Sequence, residues 1–236
     1  MIIGIIGAME KEIVLLKEKM IIEKTVNQSS LEFYVGKLND KEVVLVRSGI
    51  GKVNAAMCTQ ILVDIYNVEL IINTGVAGAL HPDLNVGDIV VSTDTLQHDI
   101  DASVFGDPRG IIPGMDKSVF LGDEKLLGFI DDITLSDQKI LKGRIVTGDQ
   151  AIGCGDTKTL LYEQFEGFCV EMEGGAIAHV CHLNNIPFLI IRAISDKADE
   201  EVEVNYNEFL ELAAKNSSFI VESILSNIEI GSMRKL

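Results

Sequence analysis

Short apolar runs of strand length alternate along this chain with segments of helical periodicity, and that alternation narrows the possible folds more than any other feature. The runs are Ile2 to Ile6, Val43 to Val46, Leu70 to Ile72, Ile89 to Val91, Ile145 to Val146, Cys169 to Val170 and Phe188 to Ile191. A run that is apolar at every position, rather than at alternate ones, suits a strand covered on both faces. Between the runs, Val53 to Tyr66 places Val53, Ala56, Met57, Ile61 and Ile65 on one side of a helix. Gly174 to Asn184 gathers Ile177, Val180 and Cys181, and Tyr206 to Leu225 repeats Phe209, Ala213, Ile220 and Ile224. These spacings fit amphipathic helices. Strands alternating with helices predict an α/β fold, a central sheet flanked by helices.

With 236 residues, 47% of them hydrophobic and only four prolines, the chain can bury a large core, and 1–236 reads as a single domain. The formal net charge of −16, with basic residues scattered singly apart from Arg234 and Lys235, predicts repulsion of nucleic acid. Small neutral or cationic ligands are compatible with it. The four cysteines (Cys58, Cys154, Cys169 and Cys181) show no CxxC pair, which suits a reducing compartment. The N-terminus is apolar but lacks a basic leader, and no apolar run approaches the roughly 20 residues of a membrane span. A cytoplasmic protein without membrane partners is expected.

Ligands of α/β sheets bind outside the carboxyl ends of the strands. Polar groups follow four of the apolar runs: GAMEKE with Glu10 and Glu12, NTGVAGAL with Val76, Ala77 and Gly78, VEMEGGA with Met172 and Glu173, and RAISDKAD with Arg192, Ser195 and Asp196. Glu10 reads as an acidic first-turn residue complementing a helix dipole. Glu173, between Met172 and a glycine pair, has space beside it for a ligand's hydroxyls, and a carboxylate accepts bidentately from the vicinal hydroxyls of a ribose. Asp196, just beyond a buried strand, is expected to be partly desolvated with a raised pKa, fit to donate a proton to a departing base. Arg192, buried at a strand end, needs a carboxylate partner, and Glu12 is the expected one.

Other motifs carry less. SGIGKVNAA lacks the GxxxxGK[ST] of a phosphate loop, so Gly49 and Gly51 read as tight turns and close packing. His179, Cys181 and His182 fall at helical spacing without the further ligands a closed zinc site needs, and no metal or cofactor is expected. There is no GxSxG elbow. The irregular stretch from His98 to Lys117 is long enough to suggest a functional loop.

Taken together, GIIGAMEKEI, RSGIGKVNAA, INTGVAGAL, NVGDIVVS, HDIDASVFG, VEMEGGAIAHVC and PFLIIRAISDKAD resemble the bacterial 5′-methylthioadenosine/S-adenosylhomocysteine nucleosidases, in order and spacing from Ile3 to about Glu222. The resemblance implies a nucleoside phosphorylase-like fold with a central mixed sheet, a homodimer, and a role in methionine salvage. It implies that Glu12 activates the attacking water, that Glu173 and Met172 hold the ribose, and that Asp196, oriented by Ser195, acts at the purine's imidazole nitrogen, with Arg192 supporting the water site. Ile152 would meet adenine through its backbone. Met9, Ile50 and Tyr206 match positions that line the 5′-thio pocket, and Phe105 and Pro113 match those donated by the neighbouring subunit. An apolar slot suits a thioether.

The chain departs from the family in two places. Ala151 stands where an aromatic residue is common, removing a stacking contact of about 0.5 to 1.5 kcal/mol, and Val76 stands where many members have serine. Rivals stay open: a purine nucleoside phosphorylase of the same fold, for which Arg47 could hold phosphate beside Glu12, Asn73 and Val76, another nucleosidase of that fold, and a non-catalytic nucleoside-binding protein. A glutamate at the nucleophile site favours neutral water over a phosphate anion.

Overall fold

The computed structural model describes residues 1–198 and 202–228, with side chains of the last segment from 209 onward. Each apolar run lies in a strand: β1 (Ile2–Gly7), β4 (Lys41–Arg47), β5 (Leu70–Ala79), β6 (Ile89–Gln97), β8 (Ile140–Thr147), β9 (Gly167–Glu171) and β10 (Phe188–Asp196). β2 (Ile21–Gln28), β3 (Leu31–Leu38) and the short β7 (Phe120–Leu121) join them in one mixed sheet. Every residue of β10 is buried, as its unbroken apolar run requires.

The sheet closes on itself. β5 pairs β10 in parallel, β10 pairs β6 antiparallel, β6 pairs β8 and β8 pairs β9 in parallel, and β9 returns to β5 antiparallel through Gly78 and Ala79. Outside this ring the order runs from β5 through β1, β4 and β3 to the edge strand β2. The β2–β3 hairpin has no counterpart among the apolar runs. Its outer strand, IIEKTVNQ, carries charged and polar residues from Glu23 onward and is mostly exposed, which protects the edge from pairing with another chain.

Helices α1 (Glu10–Lys19) and α6 (Val202–Asn227) cover one face, where Ile13, Leu16, Ala213, Ile220 and Ile224 pack on Ile3, Ile5 and Ile72. Leu126 of the short α3 (Glu124–Phe129) joins the same cluster. α2 (Lys52–Tyr66) and α5 (Gly174–Asn184) cover the other, while Leu161 and Phe165 of α4 (Gly155–Phe165) meet Val146 and Val170. The apolar stripe of α2 does not face the core. The helix turns Ala55, Cys58, Thr59 and Leu62 inward, and Val53, Met57 and Ile65 of the expected stripe stand 81%, 38% and 48% exposed. Small residues let α2 approach α5 closely, which leaves the bulkier apolar side facing out. The stretch from 98 to 117 is irregular apart from one 3-10 turn at Ser103–Phe105.

Candidate active site

Strand register brings the polar strand ends to one level. Asp196 of β10 lies opposite Gly78 of β5, Gly78 lies opposite Val170 of β9, and Glu171 of β9 lies opposite Thr147 of β8. They border a cleft of about 150 Å³ whose lining includes Glu12, Val76, Ala77, Gly78, Met172, Glu173, Ser195 and Asp196, with Met9 and Ile50 at one side and Ala151 and Ile152 at another. Sequence reasoning placed these residues after separate strands, and the fold collects them in one cavity.

Glu12 occupies the third position of α1, and its carboxylate curls back over the start of the helix. Oε2 accepts from the backbone N–H groups of Ala8 (2.7 Å) and Met9 (2.9 Å), and Oε1 accepts from that of Val76 (3.1 Å). These donors have no partner within the helix, and the dipole there favours an anion. Burial nevertheless pushes the Glu12 carboxyl above its ordinary range, outweighing the nearby Arg192 charge and the three backbone donors. Glycine at position 75 makes the approach possible. A Cβ there would fall 2.7 Å from Glu12 Oε1 and 3.1 Å from Arg192 Nη1.

Arg192 does not take Glu12 as its hydrogen-bonding partner. Its guanidinium donates to Glu171 through Nε (3.1 Å to Oε2) and through Nη2, and Nη2 also donates to Asn73 Oδ1 at 2.6 Å. Glu171 projects from the end of β9, across β5 from β10, and meets the guanidinium there, whereas the oxygens of Glu12 are held by the start of α1 and Val76. Arg192 is fully buried and lies outside the cleft lining. Its influence on the site passes through the carboxylates.

Glu171 is the residue that sequence reasoning missed. It accepts from the backbone N–H groups of Glu173 (3.1 Å) and Gly174 (2.7 Å) at the start of α5, and from the Thr147 hydroxyl. The signal was available: Glu171 sits in the same VEMEG stretch as Glu173, two residues away. Glu173 itself accepts from the backbone N–H of Gly51 at 2.8 Å, with Arg192 Nη2 3.8 Å from its other oxygen. Burial first, and the Glu171 charge second, push its carboxyl upward. Gly51, with φ of 96°, therefore does more than turn the chain, because it aims a donor at Glu173.

Asp196 is buried at the opposite wall. The Ser195 hydroxyl donates to its Oδ2 at 2.8 Å and the Ala198 N–H to its Oδ1 at 2.8 Å. Phe105 is 86% exposed and Pro113 is exposed, both on the irregular segment and outside the cleft lining. The side chain of Tyr206 lies outside the described residues. Arg47 is also outside the lining and pairs with Glu10 at 3.7 Å.

A mixed sheet with a closed ring and a carboxylate-rich cleft at its strand ends defines a protein of the nucleoside phosphorylase type, and the phosphorylase superfamily model matches residues 2–226. A 5′-methylthioadenosine/S-adenosylhomocysteine nucleosidase of Staphylococcus haemolyticus is 46% identical over 225 residues, covering 94% of this chain and 98% of the relative. The crystal structure of the nucleosidase of the same name from Neisseria meningitidis, in complex with methylthio-immucillin-A, superposes with a TM-score of 0.92 at 39% identity, covering 96% of this chain and 99% of that one. The futalosine hydrolase of Helicobacter pylori reaches a TM-score of 0.90 at 31% identity, with 96% and 98% covered. The chain belongs to the 5′-methylthioadenosine/S-adenosylhomocysteine nucleosidase family.

Proposed function

We propose that this protein hydrolyses the N-glycosidic bond of 5′-methylthioadenosine and S-adenosylhomocysteine, releasing adenine and the 5′-thioribose product, in the recovery of methionine. One observation carries the choice of hydrolysis over phosphorolysis. Among the described residues, the cleft is lined by Glu12, Glu171, Glu173 and Asp196 and by no lysine, arginine or histidine. A phosphate anion would enter that field without a counter-charge, while neutral water meets no such barrier.

The roles are those that the resemblance implies. Glu173 accepts from the ribose hydroxyls. Asp196, steadied by Ser195 and the Ala198 N–H, protonates the imidazole nitrogen of adenine, so that the C–N bonding pair departs on a neutral base rather than an anion. The ribose carbon gains positive charge as that bond breaks, and the surrounding carboxylates favour it. Glu12 takes one proton of the attacking water as the new C–O bond forms. Its upward-shifted pKa makes it a stronger base for this step than an exposed glutamate. Ile152 contacts adenine through its backbone, and Met9 and Ile50 line the 5′ side.

The homodimer reading is supported by the apolar residues that α2 leaves uncovered, together with Val104 and Phe105, which stand 84% and 86% exposed. Phe105 and Pro113 then complete the partner's 5′ pocket. A cytoplasmic location accords with the absence, among the described residues, of any helix long and apolar enough to cross a membrane. Incubation with methylthioadenosine in phosphate-free and phosphate-containing buffer tests the reaction: adenine is expected in both, and release only with phosphate overturns hydrolysis. Light scattering tests the dimer.

A further inference from the structure

A second, open cleft of about 920 Å³ adjoins the catalytic one and shares Ala8, Met9 and Ile50 with it. Those shared residues form an apolar collar at the 5′ side. Beyond the collar the character changes: the lining of the second cleft includes Glu10, Glu32, Ser48 and Asn54, with Arg47 as its cation. Glu10 comes from the first turn of α1 and Arg47 from the end of β4, and Arg47 Nη1 lies 3.7 Å from Glu10 Oε2. That separation is an ion pair but not a hydrogen bond. The two side chains are 58% and 49% exposed, and an exposed pair of this kind is worth little, so parting it costs little.

The two substrates differ only beyond the sulfur. Methylthioadenosine ends in a methyl group, which the collar can hold. S-adenosylhomocysteine continues through two methylenes to a carbon bearing an ammonium and a carboxylate. That end needs one anion and one cation side by side. The catalytic cleft has no cation in its lining among the described residues, and the net charge of −16 makes the protein's field hostile to a carboxylate. Arg47 supplies the missing positive charge where the tail emerges past Met9 and Ile50. Glu10 stands beside it for the ammonium.

We propose that Glu10 and Arg47 form a subsite for the zwitterionic amino-acid end of S-adenosylhomocysteine, the guanidinium holding the carboxylate and the glutamate the ammonium. The proposal rests on the nucleosidase reading above. It makes the second cleft a determinant of preference between the two substrates, with no part in the bond cleavage.

The test measures kcat/KM for S-adenosylhomocysteine, methylthioadenosine and 5′-butylthioadenosine, the last having an uncharged tail, in the wild type and in Arg47→Ala, Arg47→Lys and Glu10→Gln. Arg47→Ala is expected to lower the ratio of S-adenosylhomocysteine to butylthioadenosine by about fivefold, through KM rather than kcat. Arg47→Lys should restore most of it, and Glu10→Gln should lower it less than Arg47→Ala. An unchanged ratio in an active Arg47→Ala enzyme overturns the subsite and leaves the nucleosidase reading standing. If the wild type releases adenine from none of the three, the nucleosidase reading falls and the subsite with it.

Discussion

At the ribose side of the cleft, Glu12, Glu171 and Glu173 are buried and each is fixed by backbone N–H donors, with Arg192 beneath them paired to Glu171 and Asn73. At the other side, proposed to take the 5′ substituent, Met9 is partly exposed and Ile50 is 52% exposed, and both offer apolar surface. The difference follows what each part must do. Charge stabilisation in a reacting centre depends on groups already oriented and screened from water, and only a folded interior supplies that. An apolar slot needs surface alone, and a second chain can supply the rest of it.

The contrast can be broken most sharply at the reacting groups. Asp196→Asn should lose turnover by about 10² to 10⁴ while retaining nucleoside affinity within about tenfold, as read by adenine release beside calorimetric binding. Unchanged turnover would remove Asp196 from its role. Glu12→Gln should lose a similar amount and lose it in a single turnover, and wild-type single-turnover cleavage would count against water activation.

Next in size is the support beneath the ribose side. Glu171→Gln takes the charge partner from a buried arginine and should destabilise the fold by roughly 3 to 5 kcal/mol in denaturant titration. Ile50→Ala, on the exposed side, should change stability by no more than about 0.5 kcal/mol. Equal effects would erase the distinction between the two regions.

The same distinction has a pH signature. Folding raises the carboxyl pKa of Glu12 and Glu173, so the native state holds protons that the unfolded chain has released. Stability from these groups is complete below the unfolded carboxylate pKa and declines as pH rises through the raised values, by at most about 1.4 kcal/mol per pH unit for each group. Glu173→Gln should flatten that decline in urea melts taken across the range, and an identical profile would show that Glu173 is not its source. The smallest effect belongs to the 5′ side. Phe105→Ala should raise KM for methylthioadenosine by about threefold with kcat little changed, since only part of one apolar contact is lost. A fall in kcat without a change in KM would place Phe105 elsewhere in the reaction.

The sequence made the sheet's interior legible because strands covered on both faces must be apolar throughout. It hid the β2–β3 hairpin, whose outer strand is largely polar because it lies at an edge facing water. Periodicity tells which residues of α2 share a side, yet not what covers that side, and Val53, Met57 and Ile65 stand exposed. Among the site residues, Glu12, Glu173 and Asp196 could be read as candidates because each follows a separate apolar run. The partner of Arg192 could not, because Glu12 and Glu171 are both reasonable until the strands are laid side by side. The donor from Gly51 to Glu173 joins positions 122 residues apart, and a glycine has no side chain to advertise it.

The closed circuit of β5, β10, β6, β8 and β9 acts as a hoop. A hoop has no loose edge, so spreading any one pair of its strands strains every other ladder around it. Asp196, Gly78, Glu171 and Thr147 are set on its rim and inherit a fixed spacing, whereas Glu12, Arg47 and Ile50 hang outside it on α1, β4 and the turn into α2. The rim therefore keeps one gauge, and the freedom to accept longer or shorter tails that the proposed 5′ subsite requires is left to the unhooped side.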